Sequence, residues 1–208
     1  MFQKPNAVQV RISLDEIKPK IWRRLVLPSD WTLEQLHLAI QAAFNWWNYH
    51  LYEFHIGGLR FGDIDTLTDD GFDDNSRVFD FREVRMGDFQ VGSSFRYLYD
   101  FGDSWRHTVS IEAFATEDTK PKVGRCLDGA RARPPEDVGG TSGYERFLEI
   151  IADTSDPENQ ETLQWCGGFF DPEWFDLAVV NKDLRTALRT NVKRRLHQPK
   201  PKSGIEAY

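Results

Sequence analysis

Residues 7–14 alternate strictly, with Val8, Val10, Ile12 and Leu14 on one side and Gln9, Arg11 and Ser13 on the other. A period of two with one apolar face predicts a half-buried strand. Residues 21–27 repeat the pattern through Ile21, Leu25 and Leu27, between Pro19 and Pro28. The two segments are expected to pair antiparallel across the short EIKP turn. At Thr32 the period changes. Leu33, Leu36, Ile40 and Phe44 recur at helical spacing, and Thr32 with Gln35 has the spacing of a capping box. Residues 51–56 read as a strand, and Gly57-Gly58 supplies the positive φ angles of a tight turn into a second one, giving a hairpin over 51–61.

The clearest strand pair spans 94–100 and 106–114. Phe95, Tyr97 and Tyr99 share one face of the first; His107, Val109, Ile111 and Ala113 share one face of the second. FGDSW joins them. Residues 115–141 show no regular pattern and are rich in Pro, Gly and charge, so they read as one long connection. Segments of that length are commonly functional or disordered. Ser142 and Glu145 predict a capped helix to about Ile151. A short helix is expected over 158–165 and a last one over 173–189, striped by Phe175, Leu177, Val180, Leu184 and Leu188.

Strands dominate the first part of the chain and helices the last, without internal repeats. That segregation predicts an α+β fold, a mainly antiparallel sheet packed against helices in a single domain over 1–188. Seven Trp and fifteen Phe in 208 residues supply enough buried area for a real core. No apolar run approaches the ~20 residues needed to span a bilayer, and no secretory signal opens the chain. The expected location is therefore the cytoplasm. Cys126 and Cys166 lie far apart and encode neither a disulfide framework nor a zinc knuckle.

Charge is unevenly spread. Residues 189–208 carry six Lys or Arg against one Glu, whereas 1–188 carry twenty against thirty-two Asp or Glu. An acidic body repels phosphates, so only the basic tail, through Lys193, Arg194 and Arg195, is expected to contact nucleic acid. The six Asp of residues 63–74 do not meet the spacing of an EF-hand and read as a solvated acidic loop.

Several stretches, read together, carry a resemblance: IKPKIWRRLVLP ending at Pro28, WNYHLYEFHIGG at 47–58, YLYDFGDSWRHTVSIE at 97–112, RCLDGARARPPEDVGGTSGYERFLEI at 125–150 and LQWCGGFFDPEWFDLAVVN at 163–181. In this order they resemble the plasmid pRiA4b ORF-3-like family, found on plasmids, mobile elements and many chromosomes. The resemblance implies a shared fold and a pocket, and no activity. Many members have Cys where this chain has Arg133, and His near the stretch Asp156–Gln160, so a Cys/His metal set in those members does not carry over.

The chemistry-bearing residues cluster in the FGDSW and PPEDVGG segments. Asp100-Phe101-Gly102 spells DFG, but no kinase glycine loop, lysine or HRD motif accompanies it. Nucleotide-binding glycine fingerprints and a GxSxG elbow are missing too. If the proline-stiffened loop folds over the hairpin, His50, Asp100, Asp103, Trp105, His107, Glu136 and Asp137 are expected to form one pocket. His107 serves there either as a proton shuttle or metal ligand, or as a structural histidine satisfied by a turn carboxylate, and the structural role is preferred. The acidic groups either hold a cation or pair with Arg23, Arg24, Arg106 or Arg131 as a loop staple, with stapling preferred. The favoured function is a non-enzymatic binding module with a protein partner, no cofactor and no resident metal. A metal-assisted enzyme in the same groove and a DNA-associated accessory protein of a mobile element are the alternatives.

Overall fold

The computed structural model describes residues 4–69, 77–189 and 198. The basic tail, with Lys193, Arg194 and Arg195, and residues 70–76 of the acidic segment lie outside the described residues.

The alternating segments form the strands their patterns predict. β1 (Ala7–Leu14) pairs antiparallel with β2 (Trp22–Pro28), Val10 opposite Leu25. β3 (Tyr52–Ile56) and β4 (Leu59–Gly62) form the expected hairpin, with φ of 59° at Gly57 and 83° at Gly58. β6 (Ser94–Tyr99) pairs with β7 (Trp105–Ala115), Tyr97 opposite His107. With β5 (Val78–Asp80) and β8 (Arg125–Ala130), they make one eight-stranded sheet of order β5-β4-β3-β6-β7-β1-β2-β8. Among the described residues, only β4 and β5 run parallel. The chain is thus an α+β single domain.

β8 lies inside the stretch that reads as an irregular connection. It is an edge strand, largely exposed, and its pairing with β2 shifts register between Arg24 and Leu25. That irregularity breaks the period-two pattern that would mark it in the sequence.

Val8, Val10, Ile12 and Leu14 are fully buried and join one core with Leu33, Leu36, Ile40 and Phe44 of α1 (Leu33–Phe44). Thr32 and Gln35 close the expected capping box, and Asn45 ends the helix in the left-handed region. The other face of the central strands is polar. There Glu112 accepts from Gln9 Nε2 at 2.8 Å and from Arg24 Nε at 2.7 Å.

A short helix α2 (Ile64–Asp69) follows β4. α3 (Gly140–Ala152), α4 (Asn159–Trp165) and α5 (Leu177–Leu184) follow β8. Two starts differ from the sequence reading. Helix α3 begins before Ser142, on Gly139 with φ of 92° and no side-chain cap. Helix α5 begins only after Asp176, whose Oδ1 accepts from the N–H groups of Ala178 and Val179 and so nucleates the first turn there.

Arg23 fastens this helical layer to the sheet. Its guanidinium is buried and donates to the carbonyls of Ala43, Ala130 and Arg131 at 2.8–3.0 Å. It lies between the rings of Phe44 and Phe175. Burial lowers its pKa to about 10, so it stays charged at neutral pH.

Candidate functional site

Three connections meet at one end of the sheet: residues 45–51 between α1 and β3, the turn 100–104 between β6 and β7, and the loop 131–139 between β8 and α3. Each is bent sharply by non-glycine residues in the left-handed region, with φ of 58° at Asn48, 59° at Asp100 and 58° at Asp137. Such conformations are uncommon for residues with a Cβ, although Asn and Asp tolerate them best.

The loop folds over the turn. Gly139 N–H donates to Asp103 Oδ2 at 3.2 Å. Gly140, with φ of 68°, sits so close that a Cβ there would meet the Asp103 carbonyl oxygen at 2.7 Å. Only glycine permits this approach.

The convergence aligns three carboxylates in the same manner. Asp100 Oδ1 accepts from the N–H groups of Gly102 and Asp103. Glu136 Oε1 accepts from Trp47 N–H at 2.7 Å, and Asp137 Oδ2 from the Tyr49 hydroxyl at 2.7 Å. In each case one oxygen is tied to the fold and the other turns toward His50 Nε2. Asp137 Oδ1 lies 3.3 Å from that nitrogen, Asp100 Oδ2 3.4 Å and Glu136 Oε2 3.9 Å. The first two distances are those of ion pairs, yet buried His50 Nε2 makes no hydrogen bond. Glu136 Oε2 also lacks a partner, although Glu136 is 4% exposed. The Tyr99 hydroxyl, which faces the amides of Tyr49 and His50, makes no well-formed hydrogen bond either. One ligand atom each from His50, Asp100 and Asp137 falls within 4.8 Å of the others, a spacing able to hold a metal ion.

Desolvation raises the Glu136 pKa, and the Arg133 guanidinium opposes that shift. Arg133 is itself buried. It donates through Nε and Nη2 to the Asn45 carbonyl and through Nη1 to the Pro134 carbonyl, and lies over the Trp46 and Trp47 rings at 4.8 and 5.6 Å. Burial lowers its pKa to about 10.

The arginines preferred as staples are engaged elsewhere. Arg23 takes backbone carbonyls, Arg24 takes Glu112, Arg106 takes Glu16 and Arg131 takes Glu173. The three site carboxylates therefore have no arginine hydrogen-bond partner among the described residues, and the stapling expectation is corrected.

Of the residues grouped by sequence, the structure brings His50, Asp100, Glu136 and Asp137 together, with Asp103 as a clamp beside them. It places Trp105 and His107 in the core beneath. His107 is fully buried, its Nε2 3.4 Å from Trp46 Nε1 and its Nδ1 3.1 Å from the Trp105 carbonyl. A neutral ring with the proton on Nδ1 satisfies both contacts. Burial lowers its pKa to about 4. The expectation that Asp100 or Asp103 orients His107 is thus corrected, because its inward position on β7 points it away from them. Tyr49, Tyr99 and Arg133 also belong to the site, although no motif marks them. A buried arginine that bonds only carbonyls leaves no sequence signal.

A cleft of about 300 Å³ opens beside the carboxylates, lined by Trp47, Arg133, Glu136, Asp137 and Trp165. Trp47, Tyr49 and Trp165 are 42%, 51% and 52% exposed. Beyond Asp137 and Trp165 the cleft continues into a groove between α3 and α4, along Arg146, Phe147 and Glu161. No helix among the described residues is long and apolar enough to cross a membrane.

Comparison with known proteins agrees with this fold. The family model described as plasmid pRiA4b ORF-3-like protein matches residues 6–179. The uncharacterized protein y4hQ of Sinorhizobium fredii (strain NBRC 101917 / NGR234) is 41% identical over 183 residues, covering 85% of this chain and 90% of that protein. The crystal structure of a protein of unknown function, MM3350 from Methanosarcina mazei Go1, superposes with a TM-score of 0.73 at 32% identity, covering 85% of this chain and 98% of that one. The chain belongs to the plasmid pRiA4b ORF-3-like protein family.

Proposed function

We propose that this protein is a binding module and that its ligand surface is the groove between the Trp47–His50 segment, the Asp100 turn and the Pro134–Val138 loop. The observation that carries this reading is the set of buried polar atoms without hydrogen bonds, His50 Nε2 and Glu136 Oε2, at the end of a cleft rimmed by exposed aromatics. An unsatisfied buried polar atom costs on the order of 1–3 kcal/mol, so two of them at the end of an open cleft suit a ligand that completes them. Trp47, Tyr49 and Trp165 are of the residue types that dominate protein interfaces, which favours a protein partner. The acidic rim disfavours nucleic acid.

Peptides selected from a random displayed library test the reading. Selected peptides should shift the indole N–H resonances of Trp47 and Trp165 and lose affinity at least tenfold in the Trp47→Ala, Trp165→Ala double variant. Peptides that map to another face would refute it.

A second reading, a metal-assisted enzyme in the same groove, is favoured by the spacing of His50, Asp100 and Asp137. Cation-dependent hydrolysis of a panel of phosphate, carboxyl-ester and peptide substrates that is lost in Asp100→Asn would support it. A silent panel would leave the binding module alone.

A further inference from the structure

The arrangement around His50 has the form of an inner ligand set held by an outer one. Asp100, Glu136 and Asp137 each use one oxygen as an acceptor for the fold and leave the other facing a single imidazole nitrogen. Those outer contacts fix orientation, as second-shell partners do at metal centres. His50 Nε2 lies 3.3 Å from Asp137 Oδ1 and 3.4 Å from Asp100 Oδ2. Ligand atoms about 2.0–2.2 Å from a common ion are separated by roughly 3.0–3.6 Å when adjacent. The spacing is therefore that of neighbours in a coordination shell, and no hydrogen bond accounts for it.

Glu136 supplies an independent observation. It is 4% exposed, and its Oε2 faces the same nitrogen at 3.9 Å with no hydrogen bond. Burial on this scale normally demands an ion pair or a complete set of hydrogen bonds. Arg133 is the only nearby guanidinium among the described residues that offsets it, and it does so without a hydrogen bond. Three carboxylates against one guanidinium leave two negative charges, which one divalent cation neutralises.

We propose that His50 Nε2, Asp100 Oδ2 and Asp137 Oδ1 together bind one divalent first-row transition cation, with Glu136 Oε2 accepting from a water that completes the shell. One imidazole with carboxylates suits Mn(II) or Zn(II) better than Ca(II) or Mg(II), which favour all-oxygen shells. Glu136 takes the water-binding role because its oxygen stands farther off, at 3.9 Å. This inference rests on the groove being the working site and names an ion that completes it.

The test is isothermal titration of the full chain with MnCl2 and with ZnCl2, after chelator treatment and removal of the chelator. One cation per chain is expected, with affinity reduced at least tenfold by His50→Ala, Asp100→Asn or Asp137→Asn. Asp100→Asn keeps the Oδ1 acceptor for Gly102 and Asp103, and exposed Asp137 can be changed without opening the core, so both should fold. His55→Ala, at the partly exposed histidine bonded to Glu53, should bind as the parent does. No binding of either ion, or binding that all three site variants retain, would overturn the inference. Cation binding that fails while library peptides still map to Trp47 and Trp165 removes the ion and leaves the groove. A bound ion with peptides mapping elsewhere removes the docking surface and leaves the ion.

Discussion

Trp47 N–H donates to Glu136 Oε1 at 2.7 Å, joining the exit of α1 to the proline loop 89 positions later. This bond fixes a carboxylate in a place where its second oxygen finds no donor. Replacing Glu136 by Gln keeps an acceptor for Trp47 and removes the buried negative charge. Without added metal, Glu136→Gln should be more stable than the parent by about 1 kcal/mol, a rise of roughly 2–4 °C in Tm for a chain of this size. Thermal unfolding in chelator checks this, and a lower Tm would count against a carboxylate held at a cost for function.

Arg133 satisfies two buried carbonyls and offsets Glu136 at once. Arg133→Met preserves bulk and strands all three groups. A loss of about 2–4 kcal/mol is expected in urea unfolding. Arg133→Lys should recover only part of it, because a single ammonium cannot reproduce the fork that reaches both carbonyls. Parent-like stability in both variants would show that the loop is held by something else.

Much of this architecture is legible in the sequence. Alternation over 7–14, 94–100 and 106–114 marks the central strands, and Thr32 with Gln35 marks the start of α1. Strand β8 is not legible, since an exposed edge strand with a register shift has no apolar face to repeat. For the site, Pro134-Pro135 and Gly139-Gly140 announce a stiff loop near the DFG turn. Distinguishing His50 from His107 takes the fold. The alternation His107, Val109, Ile111 places His107 on the apolar face, whereas His50 sits in an aperiodic turn whose direction depends on the left-handed Asn48. Arginine reads as a surface residue in any composition argument, and nothing in the sequence announces the carbonyl partners that bury Arg23 and Arg133.

His107 gives the stability a pH signature. Its pKa falls to about 4 in the fold, against about 6.5 when unfolded. Between these values the unfolded chain binds the extra proton, so stability declines as pH falls from about 6.5 toward 4. The slope from this group approaches 1.4 kcal/mol per pH unit. Glu136, whose pKa is raised, acts in the opposite sense and cancels when parent and His107→Gln are compared. The difference in urea midpoint between the two should change with pH over this window. A constant difference would mean that His107 titrates alike in both states.

Gly140 allows the loop to lie against the DFG turn. Gly140→Ala must accommodate both a positive φ and a Cβ 2.7 Å from the Asp103 carbonyl oxygen. A loss of at least about 1–2 kcal/mol is expected. Cation affinity should fall too, because Asp137 moves away from Asp100 and His50. Gly92→Ala, also at positive φ but with nothing within 4 Å of its Cβ, controls for backbone strain alone. Unchanged cation affinity in Gly140→Ala would disconnect the loop from the site.

The most direct measurement is anomalous diffraction from crystals of the full chain grown with Mn(II), collected at a wavelength where manganese scatters anomalously. The expected result is one strong peak about 2.0–2.3 Å from His50 Nε2, Asp100 Oδ2 and Asp137 Oδ1, with a water bridging it to Glu136. Peaks confined to other surface carboxylates, with this position empty at saturating ion, would contradict it.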